Sequence, residues 1–195
     1  MDELEHGFES VGPDRAPAIM AGYPADWWVS GGWALDLVHG SKTRDHIDLD
    51  IGVYREDVPH LFDSFDLEFH AAADGKLRHM GEAGDLWSQA NSIWVRRPGA
   101  QKWLLEMILN ESDGDEWVYR RDARVRLPRK EVAIDVDGIP CVRPEIQLLF
   151  KAKQMRDRDI ADFQLHGHRL HPTARSWLKD ALRLAHPGHP WITDL

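Results

Sequence analysis

The sequence predicts an α+β fold: a mixed sheet flanked by helices, with a helical C-terminal lobe. Three observations predict it. Short β-like runs joined by turn residues fill the chain to about residue 140, and from about residue 143 onward apolar residues recur at helical spacing. A glycine pair, Gly31-Gly32, lies where a strand-like run gives way to a helical one. The expected division is 1–140 for the sheet-bearing part and 141–195 for the helical lobe.

The elements follow in order. Asp26-Trp27-Trp28-Val29 reads as a short strand, and a helix from Trp33 to about His39 follows, with Gly40 placed to end it. Ile47 to Tyr54 alternates with period 2 and predicts a strand. Asp57-Val58-Pro59 opens a helix through Phe65, with Asp57 as its N-cap. Leu67 to Ala71 is a further strand. Ser92 to Arg97 and Lys102 to Leu109 form a hairpin across Pro98-Gly99-Ala100-Gln101. Trp117 to Arg120 and Val132 to Val136 are shorter strands, and Asp137-Gly138 is a turn before Ile139. Pro144-Glu145 starts a helix, because proline's missing N–H costs nothing in the first turn. Two more helices follow, broken near Gly167 and Pro172.

Composition sets outer bounds. A chain of 195 residues buries about 70% of its unfolded surface and needs neither disulfides nor a structural metal. With 43% hydrophobic and 29% charged residues it falls among globular proteins, which excludes disordered, collagen-like and membrane classes. The net charge of −9 has the wrong sign for a protein that coats nucleic acid, and no apolar run reaches the length of a membrane span, so neither nucleic acid nor membrane is an expected partner. The start, MDELEHGFES, is acidic where a targeting segment is basic, and Cys141 has no partner cysteine; both fit the cytoplasm. The 9 tryptophans follow no fixed period, which argues against a repeat array and for core filling.

The chemistry concentrates in Ser30 to Val53. Two glycines between strand and helix let a ligand approach the backbone closely, where free N–H groups of the helix start face it, as in a phosphate site. Asp48 and Asp50, at i and i+2 of one strand, project from the same face. Two such carboxylates repel unless a cation compensates them, and a hard, oxygen-loving ion such as Mg²⁺ does so. Glu106 is a lone carboxylate in an apolar strand that needs a partner: either a metal shared with Asp48 and Asp50, or an arginine such as Arg96. Arg44, between the helix and the D-x-D strand, either binds a triphosphate or pairs with Asp45 or Asp36.

Ile146, Leu149, Phe150 and Lys153 share one side of the predicted helix, so Lys153 either snorkels outward or faces a cleft as a phosphate ligand. Lys151, off that stripe, is expected to be solvated. His166, His168, His186 and His189 read as solvated loop residues. The basic concentrations, Lys76 to His79 and Arg120 to Arg126, either line an anionic groove or form exposed faces.

Gly31-Gly32, Asp48-Leu49-Asp50 and Glu106 together resemble the DNA polymerase β type nucleotidyltransferase superfamily. More closely, Gly31-Gly32-Trp33-Ala34-Leu35-Asp36, Gly40, Thr43-Arg44, His46 and Asp48-Leu49-Asp50 are similar to the aminoglycoside 2''-adenylyltransferase-like group. Trp117-Val118-Tyr119-Arg120-Arg121, Pro144 to Lys153 and Pro187-Gly188-His189-Pro190-Trp191 are also similar to that group, and Glu106 stands where aspartate is usual.

The resemblance implies a catalytic domain over 1–140 that moves AMP from ATP to a hydroxyl of a small molecule, possible acceptors including an aminoglycoside, with release of pyrophosphate. It assigns Asp48, Asp50 and Glu106 to two Mg²⁺ ions, or Mn²⁺, and to catalysis; the reading of the residues themselves offers Gly31, Gly32, Arg44 and Lys153 for the nucleotide. Two alternatives stay open: nucleotidylation of a macromolecule such as tRNA or a partner toxin, and a noncatalytic nucleotide-binding module.

Overall fold

A computed structural model describes residues 7–81 and 86–195 of the chain. The first six residues, part of the acidic start noted above, lie outside the described residues. A short helix α1 (Ala16–Ile19) leads to strand β1 (Trp27–Val29) and helix α2 (Gly31–His39). Strand β2 (Asp50–Tyr54), helix α3 (Pro59–Ser64), strands β3 (Glu68–Ala73), β4 (Lys76–His79) and β5 (Ser92–Arg96), and the long β6 (Leu105–Asp113) come next. Strands β7 (Glu116–Val118), β8 (Arg126–Pro128), β9 (Ala133–Val136) and β10 (Ile139–Val142) complete the sheet. Helices α4 (Pro144–Lys151), α5 (Asp157–His166), α6 (Pro172–Ala185) and α7 (Trp191–Asp194) close the chain.

The sheet runs β4-β3-β5-β6-β2-β1-β10-β9, with β7 and β8 continuing from β6. It is mixed, as expected: β2 pairs parallel with β6 and β1 parallel with β10, and the other pairings are antiparallel. The centre is dry. Ile51, Val53, Ile93, Val95, Leu105 and Leu109 are fully buried, as befits strands covered on both faces. One core continues from Val29, Leu35 and Cys141 to Ile146, Leu149, Leu178 and Leu182 of the helices. The division expected at 140/141 falls inside β10, whose pairing with β1 and β9 runs to Val142, so the helical part starts at Pro144.

Several local expectations take their predicted form. Gly40 ends α2 in the left-handed conformation at φ +82°, its N–H donating to the Asp36 and Leu37 carbonyls. Asp137 and Gly138 both take positive φ in the turn between β9 and β10. Others differ. The strand expected from Ile47 begins only at Asp50, and Ile47 is 69% exposed, because the preceding segment bends toward α2 to place Thr43 and His46 on Asp36.

Asp57 does not cap α3; it closes a 3₁₀ turn, and its carboxylate takes Arg129 at 3.4 Å. Strands β4 and β8 arise inside the two basic concentrations, where charge obscures the strand pattern. The helices break near Gly167 and Pro172 as expected, and α7 is added. Trp28, Trp103, Trp117 and Trp191 are buried and the other five tryptophans half-buried, so only part of the set fills the core.

The histidines are structural rather than solvated. His166 is buried edge-on against His39, His186 bonds Tyr119 Oη at 3.2 Å, and His189 bonds the Ala152 carbonyl at 2.9 Å. Of these four predicted loop histidines, His168 alone is exposed. The tertiary fold brings the C-terminal turn back over α4, which no spacing along the chain reveals.

Candidate active site

The end of β1 delivers Ser30, Gly31 and Gly32 to the mouth of a cleft of about 240 Å³. The Ser30 N–H donates to the Asp50 carbonyl at 2.8 Å, continuing the β1–β2 pairing into the helix start. Gly31 stands at φ +69°, and a Cβ there would collide with the Asp50 carboxylate. At Gly32 a Cβ would strike the Arg44 guanidinium and the His46 ring. The glycine pair therefore makes room for three site side chains. Its N–H groups behave differently from the expectation: that of Gly31 donates to Gln147 Oε1 at 2.8 Å, which ties the turn to α4.

Asp48, Asp50 and Glu106 converge here, with one oxygen from each lying within 4.8 Å of the others. Asp50 and Glu106 are register partners on the parallel strands β2 and β6, while Asp48 reaches in from the bend before β2. All three are half-buried. Burial, and then the neighbouring Asp48 and Glu106 carboxylates, hold the Asp50 pKa well above the usual carboxylate range. Burial also raises Glu106, with Asp48 adding to the effect, although hydrogen bonds with Ser92 and Trp94 oppose the rise. Arg96, the alternative partner for Glu106, is instead bound to Glu68 at 2.6 Å. Lys151 and Arg158 act on Asp50 and Arg120 on Glu106, but both carboxyls stay raised, and three such oxygen donors suit a hard divalent cation; Mg²⁺ or Mn²⁺ fits that donor set.

Behind the triad lies a connected ionic network. Arg44 forks onto Asp162 at 3.0 and 3.1 Å, the partner being neither Asp45 nor Asp36 through its carboxylate. Lys151 Nζ reaches Asp162 at 2.8 Å and Asp159 at 3.3 Å, and Asp159 also holds Arg156 at 2.8 Å. Burial works against both aspartates, but these contacts keep their carboxyls below the usual range. Asp36, itself buried, takes Thr43 and His46, the latter at 2.5 Å, and is likewise held low against the effect of burial. Because an arginine can only donate, Arg44 at 3.0 Å from His46 Nδ1 leaves the His46 proton on Nε2, facing Asp36.

The structure brings Gly31, Gly32, Arg44, Asp48, Asp50 and Glu106 to one cleft. It does not bring Lys153 there. Helix α4 ends at Lys151, so the stripe extrapolated from Ile146 to Lys153 stops short and Lys153 is exposed. Lys151, expected to be solvated, is the buried cleft lysine, 7% exposed. Gln147 and Lys151 lie four residues apart on one helix face, and that spacing is the signal that could have found both. Arg120 and Arg121 line the cleft, with Arg156 and Arg158 from the helical part.

With this geometry in hand, the chain can be compared with known proteins. The aminoglycoside-2''-adenylyltransferase family matches residues 17–78, the stretch that holds the glycine pair and both aspartates. The fold is similar to that of ANT(2'')-Ia in complex with adenylyl-2''-tobramycin, with a TM-score of 0.57 at 14% identity over 87% of this chain and 94% of that one. The solution structure of ANT(2'')-Ia gives 0.56 at 15% identity, over 87% and 88%. The lincosamide antibiotic adenylyltransferase LnuA, lincomycin-bound, gives 0.52 at 14% identity over 82% and 96%. No curated protein matches by sequence. The structural likenesses show a shared nucleotidyltransferase fold, and with the family match they support the aminoglycoside adenylyltransferase-like group.

Proposed function

From a chain with the nucleotidyltransferase fold and the glycine-pair and D-x-D block of the aminoglycoside adenylyltransferase-like group, we propose a metal-dependent enzyme that transfers AMP from ATP to a hydroxyl of a small molecule. The observation that carries the proposal is the convergence of Asp48, Asp50 and Glu106 beside Gly31-Gly32 in a cleft lined by cations. A noncatalytic binder gains nothing from three crowded carboxylates.

Asp48, Asp50 and Glu106 would hold divalent ions, Mg²⁺ or Mn²⁺, which would supply polarisation of the α-phosphate and offset charge on the reacting oxygens. Gly31 and Gly32 let the phosphate chain pass close to the backbone, and Lys151 and Arg158, the cations that act on Asp50, face its charge. Arg44 adds a further cation to that wall. The acceptor oxygen bonds to the α-phosphorus as the bond to pyrophosphate breaks. Its proton passes to Glu106, the triad carboxylate that lines the cleft from β6. Lys153 is left out of the site.

No described helix is long and apolar enough to cross a membrane. A substrate such as ATP suits the cytoplasm as the place of action. Tobramycin and lincomycin, named with the structural neighbours, are the first acceptors to try. Incubation with α-labelled ATP, Mg²⁺ and a mixed pool of these compounds, RNA and protein extract, beside Asp48→Ala, tests the reaction. Label should enter a small-molecule fraction only with the intact chain. Label in an RNA or protein band would assign a macromolecular acceptor instead, and absence of both transfer and metal-dependent ATP binding would overturn the reading.

A further inference from the structure

The cations of the cleft form two sets. Arg44, Lys151 and Arg156 are tied to Asp159 and Asp162, and Arg158 joins Lys151 in acting on Asp50. Arg120 acts instead on Glu106, and Arg121 lies beside it. Neither Arg120 nor Arg121 makes an ion pair among the described residues. Arg120 Nη1 donates to the Asn91 carbonyl at 3.0 Å; Arg121 Nη1 donates to Tyr119 Oη and to the Phe150 carbonyl, both at 2.9 Å. The guanidinium groups lie 5.6 and 5.4 Å from the Phe150 ring centroid. Glu111, the other carboxylate felt by Arg120, is already held by Arg55 at 2.7 Å.

Two half-buried guanidinium groups side by side repel, and burial and Arg121 together push the Arg120 pKa down. Among the described residues each donates only through Nη1, which leaves the Nε and Nη2 pair suited to a forked contact with carboxylate or phosphate. Among the described residues that line the cleft, the only carboxylates are those of the triad. A polycationic aminoglycoside would therefore bring its ammonium groups against these two arginines with no further carboxylate among them to receive it.

We propose that the acceptor is an anion: a small hydroxyl compound whose phosphate or carboxylate group is received by Arg120 and Arg121 while its hydroxyl lies at Glu106. The inference rests on the nucleotidyl-transfer reading and narrows its acceptor. The acidic group is a spectator: the new bond joins the hydroxyl oxygen to the α-phosphorus, the bond to pyrophosphate breaks, and the hydroxyl proton goes to Glu106.

The test is calorimetry on the full chain loaded with Mg²⁺ and a non-hydrolysable ATP analogue, titrated with inorganic phosphate, glucose 6-phosphate, glucuronate, glucose and tobramycin. At least one of the three anions should bind, glucose and tobramycin should not, and R120Q and R121Q should each weaken the anion by about tenfold or more while the analogue binds as before. The acceptor assignment is overturned if none of the anions binds the loaded protein, if tobramycin binds in their place, or if R120Q weakens the ATP analogue and leaves the anion unchanged. Failure of the loading step itself, with no metal-dependent binding of the analogue, overturns nucleotidyl transfer instead, so the two failures are distinct.

Discussion

Asp50 and Glu106 face each other across adjacent parallel strands, Cα opposite Cα, at the ends where β2 and β6 open into the cleft. That single register match turns a local D-x-D into a three-carboxylate centre. Without a cation its carboxylates repel one another, and the first two predictions follow from that cost.

Replacing Asp50 by asparagine removes a metal ligand and relieves repulsion at once. Transfer should fall by about 10³-fold or more, yet in EDTA the variant should melt at a higher temperature than the parent chain. Mg²⁺ should raise the melting temperature of the parent and leave the variant nearly unmoved, since binding to the folded state alone stabilises it. Differential scanning calorimetry with and without Mg²⁺ reads both effects, and a variant that melts lower in EDTA would contradict the argument.

The same carboxylates fix a pH dependence. Asp50 and Glu106 have folded-state pKa values above their unfolded ones, so the folded chain binds more protons in that window and loses stability as pH rises from the ordinary aspartate value of 3.8 toward the raised values. Asp36, Asp159 and Asp162 are held low and act oppositely: their contribution is present above 3.8 and is lost as pH falls through their lowered values. The stability difference between Asp50→Asn and the parent in EDTA isolates the first effect and should widen as pH climbs. Urea unfolding at a series of pH values measures it.

Gly31→Ala should remove metal binding without touching a metal ligand. The positive φ costs a side chain about 1–2 kcal/mol, and the added methyl displaces the Asp50 carboxylate. Mn²⁺ titration followed by water proton relaxation should show weakened binding, alongside a lowered melting temperature. Tight binding in this variant would mean that Asp50 does not need the space.

The two lysines near the end of α4 should behave in opposite ways. Lys151→Ala leaves Asp159 and Asp162 buried with less compensation, and breaking a buried pair costs about 3–5 kcal/mol. Lys153→Ala, at an exposed position, should change stability by no more than about 0.5 kcal/mol and leave ATP binding intact. Paired urea denaturation curves decide between this picture and one in which Lys153 is the phosphate ligand.

Cys141 should resist thiol reagents in the folded chain. Its sulfur is buried beneath α2, donating to the Ala34 carbonyl at 3.3 Å, and burial raises its pKa to about 12. Reaction with a disulfide reagent should therefore track global unfolding across a urea series, with rapid labelling in water as the contrary result.

The features legible in the chain alone are local. The strand-to-helix glycine pair, the spacing of Asp48 and Asp50, the Gly40 stop and the proline that opens α4 are all set within a few residues, where backbone sterics and period-2 alternation act. Most of the alternating sheet and the helical end were legible for the same reason.

Tertiary structure decided the pairings that depend on strand register and the point at which α4 stops. Glu106 joins the aspartates only because β6 pairs parallel with β2 at that offset. Lys151 displaces Lys153 because the helix ends where Lys151 sits, bound to two aspartates of the next helix. Arg44 finds Asp162, and Gly31 finds Gln147, across chain separations that no periodicity spans. Buried charge must be compensated wherever the fold happens to bring an opposite charge, and that pairing is a property of the packed molecule.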